Sequence, residues 1–184
     1  MKKKRLLALL VVAAATLWAP RVIWAARERR AVRLTNMSMA QPGAAVPTIH
    51  LDAFNDDRGV YCVTCEAARS PAVVAFVSKA DAQTAALMSA LDEVYQAKRE
   101  EHLYGSIIIV GEGKDAKALR KYAEEHQFAI PTAQMNPKVD ELKLWNLDQG
   151  AASSTYFIVG HSVKTRAANL DAAKVPENVQ SLFG

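Results

Sequence analysis

The chain has 184 residues, 51% of them apolar, which is enough for one domain of ordinary size with an appendage. Its net charge of +4 is unevenly spread: nine of the 23 Lys/Arg, but only one of the 19 Asp/Glu (Glu28), fall at or before Arg33. The remaining 14 bases and 18 acids leave the rest of the chain at −4, which excludes the basic face that a nucleic-acid partner requires.

The chain opens on a basic cap, Lys2 to Arg5, followed by Leu6 to Ala19, apolar throughout except for Thr16. Pro20 and Arg21 follow, then Val22 to Ala26, then Arg27-Glu28-Arg29-Arg30. As a helix, residues 6–26 would span roughly 31 Å, close to the thickness of a bilayer core. Trp18 and Trp24 suit an interface, and Arg21 is placed to snorkel towards it. Small residues near Ala25 and Ala26 also fit a cleaved signal peptide, but Ile23 and Trp24 spoil the small-x-small pattern that cleavage needs. The expectation is a retained signal-anchor over residues 1–33, in contact with membrane lipid through residues 6–26. The N-terminal cluster favours a cytoplasmic N-terminus and an exported domain, in the bacterial periplasm, with membrane proteins as partners. No Cys lies near the apolar segment, so lipoprotein attachment is excluded.

Residues 34–47 carry Pro42-Gly43 and Pro47 and little charge, and read as a linker. A domain then follows over 48–184. Thr48 to Ala53 alternates as an edge strand, Asn55 to Gly59 is a turn, and Cys62 to Arg69 is a short helix or turn stopped by Ser70-Pro71. Ala72 to Val77 is a continuous apolar run, as in a strand covered on both faces. Asp81 opens a long helix to about His102; Ser106 to Val110 is a second buried strand; Asp115 to His126 is a helix; Lys138 to Trp145 is a short helix. Ser154 to Val159 is a third strand, and Gly160-His161-Ser162 turns it into Val163 to Arg166, before a last helix around Glu177 to Phe183. This order predicts an α/β fold with right-handed parallel crossovers in a central sheet.

The only two cysteines are Cys62 and Cys65, a C-x-x-C pair. Taken with the alternating pattern, such a pair points to thiol chemistry. Ala72–Val77, the long helix after it, Ser106–Val110 and the hairpin Thr155–Val163 together resemble the thioredoxin-like superfamily, covering about residues 49–183. Within it they are most similar to peroxiredoxin-like and exported thiol-disulfide-reductase-like domains. They also resemble a set of exported, uncharacterised proteins with a C-x-x-C just ahead of the first core strand. The resemblance implies a mixed sheet flanked by helices. It also implies a redox cysteine pair directly after the first core strand and a cis-proline just before the third. Here the first position is Ser78-Lys79-Ala80-Asp81 and the second is about Ser153 or Ser154, so the usual pair and the proline are both missing there.

Cys62 and Cys65 therefore remain open to several readings: a structural or switchable disulfide, an active dithiol in a displaced site, part of a metal site with His50, Asp52, Asp57 or Glu66, or inert thiols. Glu66 stands where haem attachment needs His. Only Arg58 and Arg69 are near enough in sequence to lower a thiol pKa, so slow alkylation is expected. Gly111-Glu112-Gly113-Lys114 lacks the spacing and the Ser/Thr of a phosphate loop. His102 and His126 end helices, and His161 is a turn residue. No cofactor is implied. Two functions follow: a non-catalytic accessory or docking subunit of a membrane complex, such as a respiratory or photosynthetic assembly, or a thiol-disulfide oxidoreductase using Cys62 and Cys65.

Overall fold

The computed structural model describes residues 40–184. The signal-anchor expectation for residues 1–33, with its lipid contact through residues 6–26, lies outside the described residues. Among the described residues no helix is long and apolar enough to cross a membrane.

Five strands form the main sheet: β3 (Ala72–Val77), β4 (Tyr104–Val110), β5 (Thr132–Met135), β6 (Ser153–Val159) and β7 (Ser162–Ala168). Their order across the sheet is β5-β4-β3-β6-β7. The β3–β4 and β4–β5 pairs are parallel, and β3–β6 and β6–β7 are antiparallel. β3 is central, and all six of its residues are buried, as its unbroken apolar run requires. Its side chains alternate between two cores. Val73, Ala75 and Val77 face α2 (Ala82–Ala97), α3 (Lys114–Glu125) and α5 (Val175–Gln180), together with Leu87, Leu91, Leu119 and Val179. Ala72, Val74 and Phe76 face the opposite way, towards Ile49, Leu51, Val63, Trp145 and Tyr156.

α2 starts where its cap places it. The Asp81 carboxylate accepts the Thr84 N–H at 2.7 Å, satisfying a donor that the first turn leaves free. One charged residue breaks the apolar face of α2. Asp92 is buried, and its carboxylate accepts the Ala129 and Ile130 N–H groups at 2.7 and 2.8 Å and the Gln96 amide at 2.6 Å. It thereby fixes the approach to β5.

The second face is covered by the N-terminal part of the chain. Gly43 N–H donates to Val163 O, Val46 N–H donates to His161 O, and Ala45 bridges Ser162, all at the β7 edge. Eight residues after Ala45, Ala53 bridges Ala133, and Phe54 N–H donates to Thr132 O at the β5 edge. Between these points β1 (His50–Asp52) pairs antiparallel with β2 (Val60–Cys62) to form a separate hairpin. The chain thus crosses the sheet face and meets each edge strand at a short stretch of backbone pairing.

The structure amends the sequence reading in several places. α2 ends at Ala97 rather than near His102, so His102 does not end a helix, and Val60–Cys62 is a strand that the sequence reading did not separate from the short helix after it. Ala40–Pro47, assigned by composition to the linker, is pinned to the domain, with Ala40 and Val46 buried and Ala40 N–H donating to Leu144 O. Pro and Gly mark a bend there rather than freedom. β5 was not anticipated. Lys138–Trp145 holds only one helical turn, α4 (Asp140–Lys143), ending in the buried Trp145.

Candidate functional site

Cys62 ends β2 and caps α1 (Val63–Ala67). Its Sγ accepts the Cys65 N–H at 3.2 Å, so the sulfur occupies the role an N-cap oxygen usually fills. Val63, Thr64 and Ala67 are buried, and the Thr64 hydroxyl donates to Pro47 O at 2.8 Å. These contacts press α1 onto the sheet and leave Cys62 half-buried and Cys65 exposed. The two sulfurs are joined in a disulfide, with 5.3 Å between the Cα atoms.

The register of the hairpin adds a neighbour that sequence distance hides. Cys62 stands directly opposite His50. Val63 N–H donates to Ile49 O, so the adjoining pair is hydrogen-bonded. His50 and Cys62 therefore form a non-hydrogen-bonded pair, the class whose side chains approach most closely. His50 Nδ1 lies 3.3 Å from Glu141 Oε1 of α4, and both side chains are partly exposed to solvent. His50 was considered from the sequence only as a metal ligand. Among the described residues no group of three or more His, Cys, Asp or Glu side chains is arranged to hold a metal ion, so Asp52, Asp57 and Glu66 are not gathered with it into such a site.

Arg58, a sequence candidate for lowering a thiol pKa, is committed elsewhere. Its Nε donates to Asp56 at 2.7 Å and its guanidinium stacks 4.5 Å from the centre of the Tyr61 ring. The hydrogen bond from Arg58 holds the Asp56 carboxyl below its ordinary value. Tyr61 in turn lies 3.2 Å from the Ser106 hydroxyl and packs edge-on against Tyr104. Burial pushes both phenols up, Tyr104 well beyond the usual range. Arg58 also lines a cleft of about 640 Å³, together with Asn55, Asp57, Tyr95 and Arg99. The Asn55 amide there is spent on Phe128 O, Ile130 O and the Thr132 N–H.

The position at which the resemblance expects redox cysteines lies at the other end of β3. In the loop Ser78–Asp81, Ser78 N–H donates to Ala152 O at 2.9 Å, the Ser78 hydroxyl lies within 3.3 Å of Ala151 O and Ala152 O, and Lys79 Nζ donates to Gly150 O at 3.0 Å. Ser153 and Ser154, where the proline was expected, are buried at the start of β6. Asn169 Oδ1 accepts the Ala152 and Ser153 N–H groups. Gly111–Lys114 is a βα loop in which Gly113 caps α3, as its sequence suggests.

No family model matches the chain, and no curated protein sequence matches it. Solved structures do. A putative thiol:disulfide interchange protein DsbE from Chlorobium tepidum is 11% identical, with a TM-score of 0.63 over 79% of this chain and 99% of that one. A secreted Mycobacterium tuberculosis disulfide oxidoreductase homologous to E. coli DsbE is 13% identical, with a TM-score of 0.58 over 73% and 96%. Peroxidoxin BcpB from the same organism is 12% identical, with a TM-score of 0.61 over 78% and 97%. Likeness at such identities establishes the fold, a thioredoxin-like mixed sheet flanked by helices. The chain carries a Cys-x-x-Cys pair within that fold, so the expectation that it lacks one holds only for the loop after β3.

Proposed function

We propose that the domain exchanges disulfides with protein thiols through Cys62 and Cys65. The observation that carries this reading is the asymmetry of the pair: Cys65 is exposed, whereas Cys62 is half-buried and holds a hydrogen bond from the Cys65 N–H. An incoming thiolate reaches Cys65 Sγ, the Cys62–Cys65 bond breaks, and the electron pair leaves on Cys62, where a backbone donor meets the new charge. The second thiolate of the substrate then attacks the mixed disulfide and releases Cys65. The substrate dithiol is oxidised to a disulfide, and the protein is left as a dithiol. The chemistry runs on the two sulfurs and needs no cofactor. The structural neighbours, named as thiol:disulfide interchange proteins and a disulfide oxidoreductase, support the same class of reaction.

An oxidising compartment suits a disulfide of this kind. With the basic, then apolar, leader, this supports a domain held outside the cytoplasm by residues 6–26, among membrane-protein partners. Incubation of the oxidised full-length protein with a reduced, unfolded test protein should transfer the disulfide, leaving Cys62 and Cys65 as free thiols. Transfer no faster than from glutathione disulfide would refute the reading.

A second reading is a non-catalytic accessory or docking subunit of a membrane complex. It is favoured by the bonded loop Ser78–Asp81, which holds no cysteine. Purification from gently solubilised membranes separates the two, because a subunit would arrive with stoichiometric partners.

A further inference from the structure

We propose that His50, oriented by Glu141, is the proton partner of the Cys62 sulfur during exchange. The proposal rests on the thiol-exchange reading and adds a residue to it. Three observations converge on one face of the hairpin. His50 is the cross-strand partner of Cys62, in a non-hydrogen-bonded pair, where opposed Cβ atoms are typically about 4.5–5.5 Å apart. The Glu141 carboxylate engages His50 at Nδ1, which leaves Nε2 as the nitrogen free to act. Cys62 is also the sulfur whose charge the Cys65 N–H meets, so both features attend the same atom.

Glu141 is a positioning residue. A carboxylate on Nδ1 sets the tautomer and the orientation of the ring. The other charged groups nearby are few. Asp140 and Lys143 on α4 are paired with each other at 2.7 Å. Asp52 lies two positions along β1, opposite Val60, and Glu66 lies in the first turn of α1. Of these groups, Glu141 is the one in contact with the His50 ring.

A substrate thiolate attacks Cys65 Sγ, the disulfide bond breaks, and the electron pair goes to Cys62 Sγ. The Nε2–H of His50 passes its proton to that sulfur, giving the Cys62 thiol and a neutral imidazole. The imidazole then takes a proton from water. In reverse, neutral His50 removes the Cys62 proton and prepares the thiolate that re-forms the disulfide.

The test is the rate at which dithiothreitol reduces the oxidised full-length protein between pH 5 and 9, corrected for the thiolate fraction of the reductant. For the wild type the corrected rate should rise from pH 9 to pH 5, as expected of a step that uses a proton donor. His50→Ala and His50→Gln should lose that rise and slow the acidic limb by at least about tenfold. Glu141→Gln, which keeps the side chain's size but not its charge, should reduce the rise, and Asp52→Ala, on the same strand, should leave it in place. Circular dichroism identifies any variant that fails to fold, and the two His50 substitutions serve as checks on each other. A His50→Ala profile superimposed on a fast wild-type profile would overturn the role of His50 alone. Wild-type exchange no faster than that of glutathione disulfide would overturn the reading beneath it.

Discussion

At the C-terminal end of β3 the loop Ser78–Asp81 is bonded to Gly150–Ala152 through backbone and side chain, whereas the segment that leads into the N-terminal end of β3 carries a disulfide with one sulfur in solvent. In open α/β sheets ligand sites gather at the carboxyl ends of the strands. Here that end is occupied by its own hydrogen bonds, and the two cysteines lie at the amino end, on the face covered by the N-terminal hairpin. On the proposed reading, the fold does not dictate where its chemistry sits. The two ends differ in kind: Ser78 and Lys79 make only internal contacts, whereas Cys62 has a backbone donor on one side and His50 with Glu141 on the other.

The largest effect expected from this contrast is in disulfide transfer. Cys65→Ser removes the exposed sulfur and should abolish transfer to a reduced protein, while Ser78→Ala and Lys79→Ala should leave the rate unchanged. A rate that fell with the second pair of substitutions would return the chemistry to the loop after β3.

Next in size is the packing beneath the hairpin. Trp145 is fully buried and lies 5.0 Å, ring centre to ring centre, from both Phe76 and Tyr156. Trp145→Ala should cost about 3–5 kcal/mol in chemical denaturation and should loosen the face that carries the cysteines. Asp92→Ala acts on the opposite face. It strands the Ile130 N–H in the core, at about 1–3 kcal/mol, and should leave disulfide transfer unchanged in the folded fraction.

Smallest is the cap at the closed end. Asp81→Ala should lower stability by about 1 kcal/mol. The Thr84 N–H holds the Asp81 carboxyl below its ordinary value. The stabilisation is therefore fully present above the unfolded carboxyl pKa, near 4, and is lost as pH falls through the lower folded value. The gap between wild type and variant, measured by thermal melting, should close towards pH 3 and remain constant from pH 5 to 8.

What was legible in the sequence depended on how local its cause was. Ala72–Val77 reads as a buried strand because every residue is apolar, and both faces are indeed covered. Asp81 marks the start of α2 because capping acts over three residues. The absence of cysteine at Ser78–Asp81 was equally plain. β5 escaped notice because Thr132–Met135 is four residues long and half-exposed towards its end, so its place depends on pairing with β4. Ala40–Pro47 looked like a tether because composition does not report the hydrogen bonds to β7. The neighbour of Cys62 was the least legible of all. Residues 50 and 62 meet only through the register of β1 and β2, set across a turn in which Gly59 takes a φ of 71°, and Glu141 arrives from far along the chain. Sequence proximity pointed instead to Arg58, which the structure commits to Asp56 and Tyr61.

The central claim is that Cys62–Cys65 is a working disulfide rather than a staple. Equilibration of the full-length protein with glutathione redox buffers, read as the fraction of free Cys62 and Cys65 by mass after alkylation, tests it most directly. A reduction potential between about −120 and −270 mV, the range of thiol-disulfide exchange proteins, is the expected result. A value below about −300 mV, where structural disulfides lie, would contradict it.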